Sequence, residues 1–265
     1  LEKVLNPRLD THHLMPSRPS IQNEADWKVV KKGTLLEVQN LSINYVTEGK
    51  LPARAVEDVS FTLKEGELIG LVGESGCGKS TLALLLMGLE DPTEGTVTYE
   101  GRDITHLNDF QRKDLRRKIQ MVFQDPYESL NPTQTIEEII TEPLIVHGMA
   151  RSANREERVK KAMEDAGLKP ADVYLKRYPH ELSGGQRQRV VIAAALVLEP
   201  EIILADEPVS MLDVSIRAEI INLLAELRIT RQIAVIFITH DLGSVGFFAD
   251  RVAVMYLGRI VEIGT

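Results

Sequence analysis

Three short patterns follow one another in this chain, and the central one is Leu182-Ser183-Gly184-Gly185-Gln186-Arg187. Upstream, residues 73–80 (GESGCGKS) fit the pattern GxxxxGK[ST], in which glycine amides and a lysine surround phosphate groups. Downstream, residues 202–207 (IILADE) are an apolar stretch that ends in two carboxylates. Strands that end in ligand groups are typical of doubly wound sheets, so the patterns together predict an α/β fold with a buried parallel sheet.

The composition restricts the class of protein. The chain has 265 residues, enough for one large α/β domain or two smaller ones. A formal charge of −8, with no strongly basic stretch, argues against nucleic acid as the main partner. The single cysteine excludes an internal disulfide and fits a reducing compartment. The longest apolar runs, 81–88 and 190–198, fall short of the roughly 18–20 residues of a membrane helix, so a membrane role needs a separate membrane partner.

Hydrophobic periodicity divides the chain into segments of different character. Residues 1–34 hold three prolines and scattered charge, and we expect a leader, a linker from a fused neighbour or a piece packed on the surface. Apolar and polar residues alternate over residues 35–65, with one irregularity, and this pattern predicts a small antiparallel β subdomain. Residues 125–185 show helical spacing and predict an inserted α-helical subdomain. Residues 66–124 and 186–265 then form the α/β core.

Individual elements follow from short apolar runs and from helical spacing. The predicted strands are 36–45, 56–63, 67–72, 96–99, 119–123, 202–206, 234–239 and a hairpin of 252–256 with 259–262. The predicted helices are 80–89, 135–146, 154–166, 186–198 and 215–229.

With the three patterns in this order, the chain resembles the ATP-binding-cassette (ABC) ATPases from about residue 35 to residue 265. The resemblance implies a P-loop NTPase (RecA-like) core with the two subdomains described above. It also implies that ATP and Mg²⁺ are bound, and that ATP hydrolysis drives transport of a solute across a membrane.

The glycine-rich loop of residues 73–80, the phosphate loop, is the candidate site for the ATP phosphates. Its amides and the N-terminus of the following helix attract phosphate, Lys79 is placed to reach the β- and γ-phosphates, and the Ser80 hydroxyl can ligate Mg²⁺. The alternative, an ordinary glycine-rich turn before a helix, explains neither the lysine nor the patterns downstream. The predicted nucleotide-binding residues here are Gly73, Glu74, Ser75, Gly76, Cys77, Gly78, Lys79, Ser80 and Thr81.

Further site residues lie at the ends of predicted strands, with roles that the resemblance implies. Asp206 holds Mg²⁺ through water, and Glu207 polarises the attacking water as general base. Gln124 contacts Mg²⁺ and the water, His240 hydrogen-bonds the γ-phosphate, and Tyr45 stacks on adenine. A carboxylate pair after a strand is also common in helix-capping turns, and a single histidine or tyrosine is often structural. The predicted catalytic residues are Glu207, His240, Gln124 and Lys79, and the predicted metal ligands are Ser80, Gln124 and Asp206.

A second phosphate-binding surface is predicted at another helix N-terminus. It consists of Ser183, Gly184, Gly185 and Gln186, and we call it the capping surface. The resemblance implies that it caps ATP held by a partner subunit, so that two subunits enclose two ATP molecules head to tail. Asp213 belongs to the segment 210–213 that crosses the same interface. In this segment Met211 stands where the family often has alanine.

Three stretches narrow the resemblance to oligopeptide and dipeptide importers: 123–132 (FQDPYESLNP), 178–181 (YPHE) and 206–216. Residues 142–144 (EPL), with the phosphate loop, are similar to the second ATPase of such systems, which pairs with a non-identical sibling, and self-pairing stays open. The implied partners are integral membrane permease subunits, docked near residues 124–131, and indirectly an extracytoplasmic solute-binding protein. The implied location is peripheral, on the cytoplasmic face of the cell membrane. Nickel and sugar-oligomer importers share this subfamily.

Two rival classes are weighed against a transport ATPase. A non-transport ABC ATPase acting on ribosomes or DNA usually carries two cassettes, a long coiled coil or metal-binding cysteines, and none is visible in this sequence. A nucleotide-dependent interaction module without turnover is disfavoured because Glu207 and His240 are both present. We therefore expect a hydrolytically competent site.

Overall fold

The computed structural model describes residues 33–45, 53–149 and 154–265 of the chain. Apart from Gly33 and Thr34, the predicted leader lies outside the described residues, and Thr34 already begins the first strand. Within the described ranges, no helix combines the length and the apolar character needed to cross a membrane.

The described residues begin with three strands, and a run of helices separates the sixth strand from the seventh. The strands are β1 (Thr34–Tyr45), β2 (Ala53–Lys64), β3 (Leu68–Val72), β4 (Glu94–Tyr99), β5 (Arg102–Asp103), β6 (Ile119–Val122), β7 (Ile202–Asp206), β8 (Ala234–Thr239), β9 (Arg251–Tyr256) and β10 (Arg259–Gly264). The helices are α1 (Lys79–Leu86), α2 (Asp109–Lys118), α3 (Pro126–Ser129), α4 (Ile136–Val146), α5 (Arg155–Asp165), α6 (Gly184–Leu196), α7 (Val214–Thr230) and α8 (Leu242–Val245). Every predicted strand and helix is found, with ends shifted by a few residues, whereas β5, α2, α3 and α8 were not predicted.

The first sheet is antiparallel and has the strand order β2-β1-β4-β5. Val38 of β1 pairs with Phe61 of β2, and the register shifts before Leu41 pairs with Val59. Asn40, at this shift, adopts a left-handed backbone with φ 47°. This β-bulge is the irregularity that the sequence predicts. The sheet extends past residue 65, because β4 and β5 belong to it.

The second sheet has the order β10-β9-β3-β8-β7-β6 and is parallel except for the terminal hairpin of β9 and β10. Strands β3 and β8 are buried along their whole length, as expected for a sheet covered on both faces. Val72 is in register with Thr239, and Asp206 with Ile238. The carboxyl ends of β3, β7 and β8 therefore meet at one edge, where doubly wound sheets place their ligands.

Helices α4 and α5 pack against α6 and fix its position. Ile136, Ile140 and Leu144 repeat along one face of α4 and are fully buried. The N-terminus of α4 is closed by a capping box between Thr135 and Glu138. This packing matters for the site, because α6 begins at the predicted capping surface.

A buried polar cluster joins the two sheets. Arg251, the first residue of β9, donates from Nε to Glu67 Oε1 at 2.8 Å and from Nη2 to Glu67 Oε2 at 3.2 Å. Nη2 also donates to the carbonyl of Thr62 in β2. The Lys64 amide donates to Glu67 Oε2 at 2.8 Å. The guanidinium thus links the antiparallel sheet to the parallel one.

Replacing Arg251 with Met should strongly destabilise the fold. The Glu67 side chain is 1% exposed, so the change removes the guanidinium that pairs with this buried carboxylate. We expect the free energy of unfolding to fall by about 3–5 kcal/mol, measured by urea denaturation. Arg259→Met is the matched control, because Arg259 pairs with Glu57 at the surface, where ion pairs contribute little. Equal losses in the two variants would contradict the role given to the burial of Glu67.

Candidate active site

The phosphate loop connects the buried strand β3 to the N-terminus of α1. Gly76 and Gly78 adopt left-handed backbone conformations, with φ 80° and 105°. A Cβ at Gly78 would lie 2.1 Å from the carbonyl oxygen of Ala55, so only glycine fits there. The chain therefore closes tightly around the start of α1, whose first amides have no intrahelical acceptor. Such a turn presents several N–H groups to an anion.

Lys79 lies inside this loop. Its side chain is buried, and Nζ donates to the carbonyl oxygens of Gly73 and Glu74, both at 2.8 Å. Nζ also lies 3.8 Å from Cys77 Sγ. The loop thus holds an ammonium group beside the unpaired amides of a helix N-terminus, and the combined positive charge suits a phosphate group.

The two carboxylates after β7 lie next to the phosphate loop. Burial raises the pKa of Asp206, and the Glu207 carboxylate adds to this, whereas the Ser80 hydroxyl and the Lys79 ammonium favour the ionised form. Asp206, at the end of β7, and Ser80, in the first turn of α1, therefore lie side by side.

These two oxygen donors fit Mg²⁺, which is commonly held by one or two carboxylates together with substrate phosphates and water. No group of three His, Cys, Asp or Glu side chains in the described part of the chain could hold a metal ion by itself. Asp206 and Ser80 would therefore supply part of an oxygen ligand set that phosphate and water complete.

Glu207 is held in a defined turn. Its backbone is left-handed, with φ 46°, and its N–H donates to the Ile238 carbonyl at 2.9 Å. The Glu207 carbonyl accepts from the Ser210 amide at 3.2 Å and from Ser210 Oγ at 3.1 Å. His240 Nδ1 lies 3.2 Å from Glu207 Oε1. The sequence pattern did not predict the two Ser210 hydrogen bonds, which tie segment 210–213 to the turn.

Gln124 and Tyr45 approach the same edge from two sides. Val122 of β6 is in register with Ala205, so Gln124, two residues beyond, follows the same edge of the sheet. Its side chain is exposed, and no hydrogen bond among the described residues joins it to the carboxylates. Tyr45 ends β1; partial burial and the Glu90 carboxylate raise the pKa of its hydroxyl, and the Thr81 side chain opposes this. Its hydroxyl therefore lies near Thr81, in the first turn of α1.

The capping surface starts α6. Ser183 is the N-cap: the Gln186 amide donates to Ser183 Oγ at 3.3 Å, and the Ser183 amide donates to Gln186 Oε1 at 3.0 Å. A Cβ at Gly185 would lie 2.5 Å from Ile216 Cγ2, so α6 closely approaches α7. Asp213 caps α7 by accepting from the Ile216 amide at 3.0 Å.

Segment 210–213 and the capping surface thus adjoin each other. Within the described ranges, no hydrogen bond or ion pair joins this surface to the phosphate loop. The structure therefore brings Lys79, Ser80, Asp206, Glu207 and His240 together and keeps Ser183–Gln186 on a separate surface.

An apolar groove of about 370 Å³ lies between β6, α4 and α6. Phe123, Leu130, Ile139 and Val146 line it, and Phe123 and Val146 are about half exposed. The family resemblance implies that a permease subunit docks near residues 124–131. Ser129 and Leu130 of that stretch line the groove, and its remaining walls come from β6, α4 and α6.

Modification of Cys77 should block nucleotide binding. Cys77 is the single cysteine of the chain and is buried in the phosphate loop, where a Cβ at Gly73 would lie 2.6 Å from its sulfur. An alkyl group there has no room unless the loop distorts, and bound MgATP should slow the reaction. Mass spectrometry measures the rate at which Cys77 is alkylated with and without MgATP. A Cys77→Ser chain gives the unlabelled baseline. Equal labelling rates with and without MgATP would contradict the placement.

The chain is similar to several known proteins. A family model described as ABC transporter matches residues 56–210. The oligopeptide transport ATP-binding protein AppF of Bacillus subtilis (strain 168) is 52% identical over 211 residues, which cover 79% of this chain and 64% of AppF. A dimeric structure of the ATP-binding cassette MJ0796, in a post-hydrolysis state bound to ADP and Pi, superposes with a TM-score of 0.76. It shares 33% identity and covers 87% of this chain and 98% of that one.

A second solved structure is similar. The cbiO1 protein from Clostridium perfringens, part of the ABC transporter complex cbiONQ, has a TM-score of 0.77 at 30% identity, covering 88% of this chain and 89% of that one. These likenesses confirm the predicted α/β fold of the P-loop NTPase type. The chain spans slightly less than two thirds of the length of AppF.

Proposed function

Because this chain belongs to the ABC transporter family and is an ATP-binding-cassette ATPase, we propose that it powers a membrane importer for oligopeptides or dipeptides. The observation that supports the catalytic part is the convergence of Lys79, Ser80, Asp206, Glu207 and His240 at one sheet edge. The peptide part rests on the likeness to AppF, whose name gives oligopeptide transport. We also propose the subdomain division 35–65 joined by β4 and β5, the rest of 66–124 with 186–265, and 125–185.

We assign ATP binding to the phosphate loop. Lys79 Nζ now donates to two loop carbonyls, and phosphate oxygens are stronger acceptors for an ammonium group, so the β- and γ-phosphates take over these bonds. The amides of residues 76–81 surround the same phosphates. Tyr45, which projects beside the first turn of α1, offers its ring to the adenine.

Mg²⁺ would be held by Ser80, Asp206 and Gln124. When bound, it neutralises charge on the phosphate oxygens. The buried position of Asp206 and the adjacent Ser80 hydroxyl support this assignment. Gln124 lies at the exposed end of this edge and would join through its side-chain oxygen.

Hydrolysis is assigned to Glu207 as general base. A water oxygen forms a bond to the γ-phosphorus while the bond to the leaving ADP oxygen breaks, and the water proton passes to the Glu207 carboxylate. His240, 3.2 Å from that carboxylate, helps position the water and the γ-phosphate. The left-handed turn and the Ser210 hydrogen bonds fix the direction of the carboxylate.

The separate position of the capping surface supports a second subunit. The amides of Gly184 and Gly185 lie at a helix N-terminus that no hydrogen bond or ion pair among the described residues joins to the phosphate loop, so we assign them to the phosphate of ATP on a partner. Asp213 crosses the same interface. The partner is a second ABC ATPase, either a non-identical sibling or a second copy of this chain.

The apolar groove between β6, α4 and α6 is assigned to a permease subunit. Half-exposed Phe123 and Val146 give it an apolar lining that a short amphipathic helix can cover. Closure of the ATPase pair around ATP then moves the permease, and hydrolysis reopens it. In this arrangement the chain lies peripherally on the cytoplasmic face of the membrane, and an extracytoplasmic solute-binding protein delivers the peptide to the permease.

Light scattering after size exclusion tests this proposal. The Glu207→Gln chain, which keeps ATP uncleaved, should change from one chain to two when MgATP is added, and Lys79→Ala should stay single. If the Glu207→Gln chain binds MgATP but stays monomeric, we assign the partner as a non-identical sibling. Failure of the parent chain to bind MgATP would contradict the proposed function.

A further inference from the structure

Gln188 carries a fully buried amide. Among the described residues, neither Oε1 nor Nε2 has a hydrogen-bond partner. Buried polar side chains are nearly always paired, so an unpaired amide in this arrangement is disfavoured. A conformation in which neighbouring groups form hydrogen bonds with the Gln188 amide would have a lower free energy than the present one.

The position of Gln188 places it in the seam between α6 and α7. Residues three and four apart share a helix face, so Gln188 lies one turn beyond Gly184 and Gly185. A Cβ at Gly184 would lie 3.6 Å from Leu212 Cδ2, and a Cβ at Gly185 would lie 2.5 Å from Ile216 Cγ2. Helix periodicity therefore places Gln188 on the face of α6 that meets Leu212, Ile216 and the Tyr127 hydroxyl.

Both sides of this seam carry groups assigned to nucleotide. On one side, α6 begins with the capping surface, whose N-cap is Ser183. On the other, Ser210 hydrogen-bonds the carbonyl of Glu207, and Asp213 caps α7. A small shift of α6 along the seam would move the capping surface relative to segment 210–213. The same shift would change which backbone groups the Gln188 amide can reach.

We propose that Gln188 is a positioning residue whose amide gains hydrogen bonds to segment 210–213 when MgATP is bound. The unpaired amide then favours the MgATP-bound arrangement and couples the capping surface to the turn that holds Glu207. This inference rests on the proposed function only in that the chain binds MgATP.

A thermodynamic cycle with Gln188→Met tests it. Methionine has a similar shape and no polar group to satisfy. In a Glu207→Gln background, which prevents turnover, the change should raise the melting temperature without MgATP by about 2–4 °C. It should also weaken MgATP binding by roughly tenfold, because only the MgATP-bound arrangement loses hydrogen bonds. Gln188→Leu should shift both quantities in the same directions, and Gln39→Met, an exposed position on β1, should shift neither.

Other outcomes overturn the inference. A lower melting temperature with unchanged MgATP affinity means that the amide is paired in both states, for instance by a buried water. A higher melting temperature with unchanged affinity means that it is unpaired in both. If the Glu207→Gln parent binds no MgATP, the proposed function itself fails, whatever Gln188→Met does to the melting temperature.

Discussion

Glu207→Gln is expected to lower ATP hydrolysis about 10²–10⁴-fold while leaving MgATP binding close to that of the parent. Glutamine has the same shape but cannot accept the water proton at physiological pH. The backbone bonds that set the turn, from the Glu207 amide to Ile238 and from Ser210 to the Glu207 carbonyl, are unaffected by the side-chain change. The measurement is phosphate release at saturating MgATP, at chain concentrations where light scattering detects pairs.

The control for this variant is Glu226→Gln on α7. Glu226 is exposed and remote from the sheet edge, so its replacement should leave phosphate release unchanged. If Glu207→Gln released phosphate at the parent's rate, the general base would be another group, and His240 would be the next candidate because it lies within 3.2 Å of the same carboxylate.

Lys79→Ala is expected to weaken MgATP binding by at least about 100-fold. The loss of two charge-assisted hydrogen bonds to phosphate accounts for this size. Alanine also removes the bonds to Gly73 and Glu74 that brace the loop. Binding of a fluorescent ATP analogue with Mg²⁺ measures the effect, and the melting temperature without nucleotide tests whether the fold survives.

Lys176→Ala is the matched control for that variant. Lys176 is exposed and pairs with Glu137 on the surface, so its loss should not change nucleotide affinity. Binding of MgATP by Lys79→Ala with the parent's affinity would contradict the assignment of the phosphate loop.

The parallel core was predictable because its strands are continuous apolar runs with clear ends. Strands β7 and β8 coincide with the predicted ranges 202–206 and 234–239, since a buried strand needs apolar residues on both faces. The strand before the phosphate loop was predicted as 67–72, and β3 begins one residue later and ends at the same residue. The contact between Glu207 and His240 then follows from the topology, because neighbouring parallel strands end at the same edge.

Helix α2 was missed because it has no apolar face. Only Leu115 is buried in it, and its other positions are mostly charged. Its stability comes from a capping box between Asn108 and Gln111 and from Arg112 and Arg116, which both donate to the Gly88 carbonyl. Hydrophobic periodicity carries no signal for such contacts.

The sequence also could not predict which polar side chains are buried without a hydrogen bond. Gln188 follows the capping surface as one more polar residue, and nothing in the pattern distinguishes it from its half-buried neighbours Gln186 and Arg187. Its complete burial appears only when α4, α5 and α7 are packed around α6. The roles of the individual site residues, Gln124 and Tyr45 among them, stay predictions until variants are measured.

The most direct test of the nucleotide site is amide hydrogen exchange of the Glu207→Gln chain with and without MgATP. The account predicts slower exchange in peptides that cover residues 73–81, because their amides surround the phosphates, and this holds whether or not a partner subunit is present. Residues 183–186 should become protected only at concentrations where pairs form. Unchanged exchange over residues 73–81 at saturating MgATP would contradict the account.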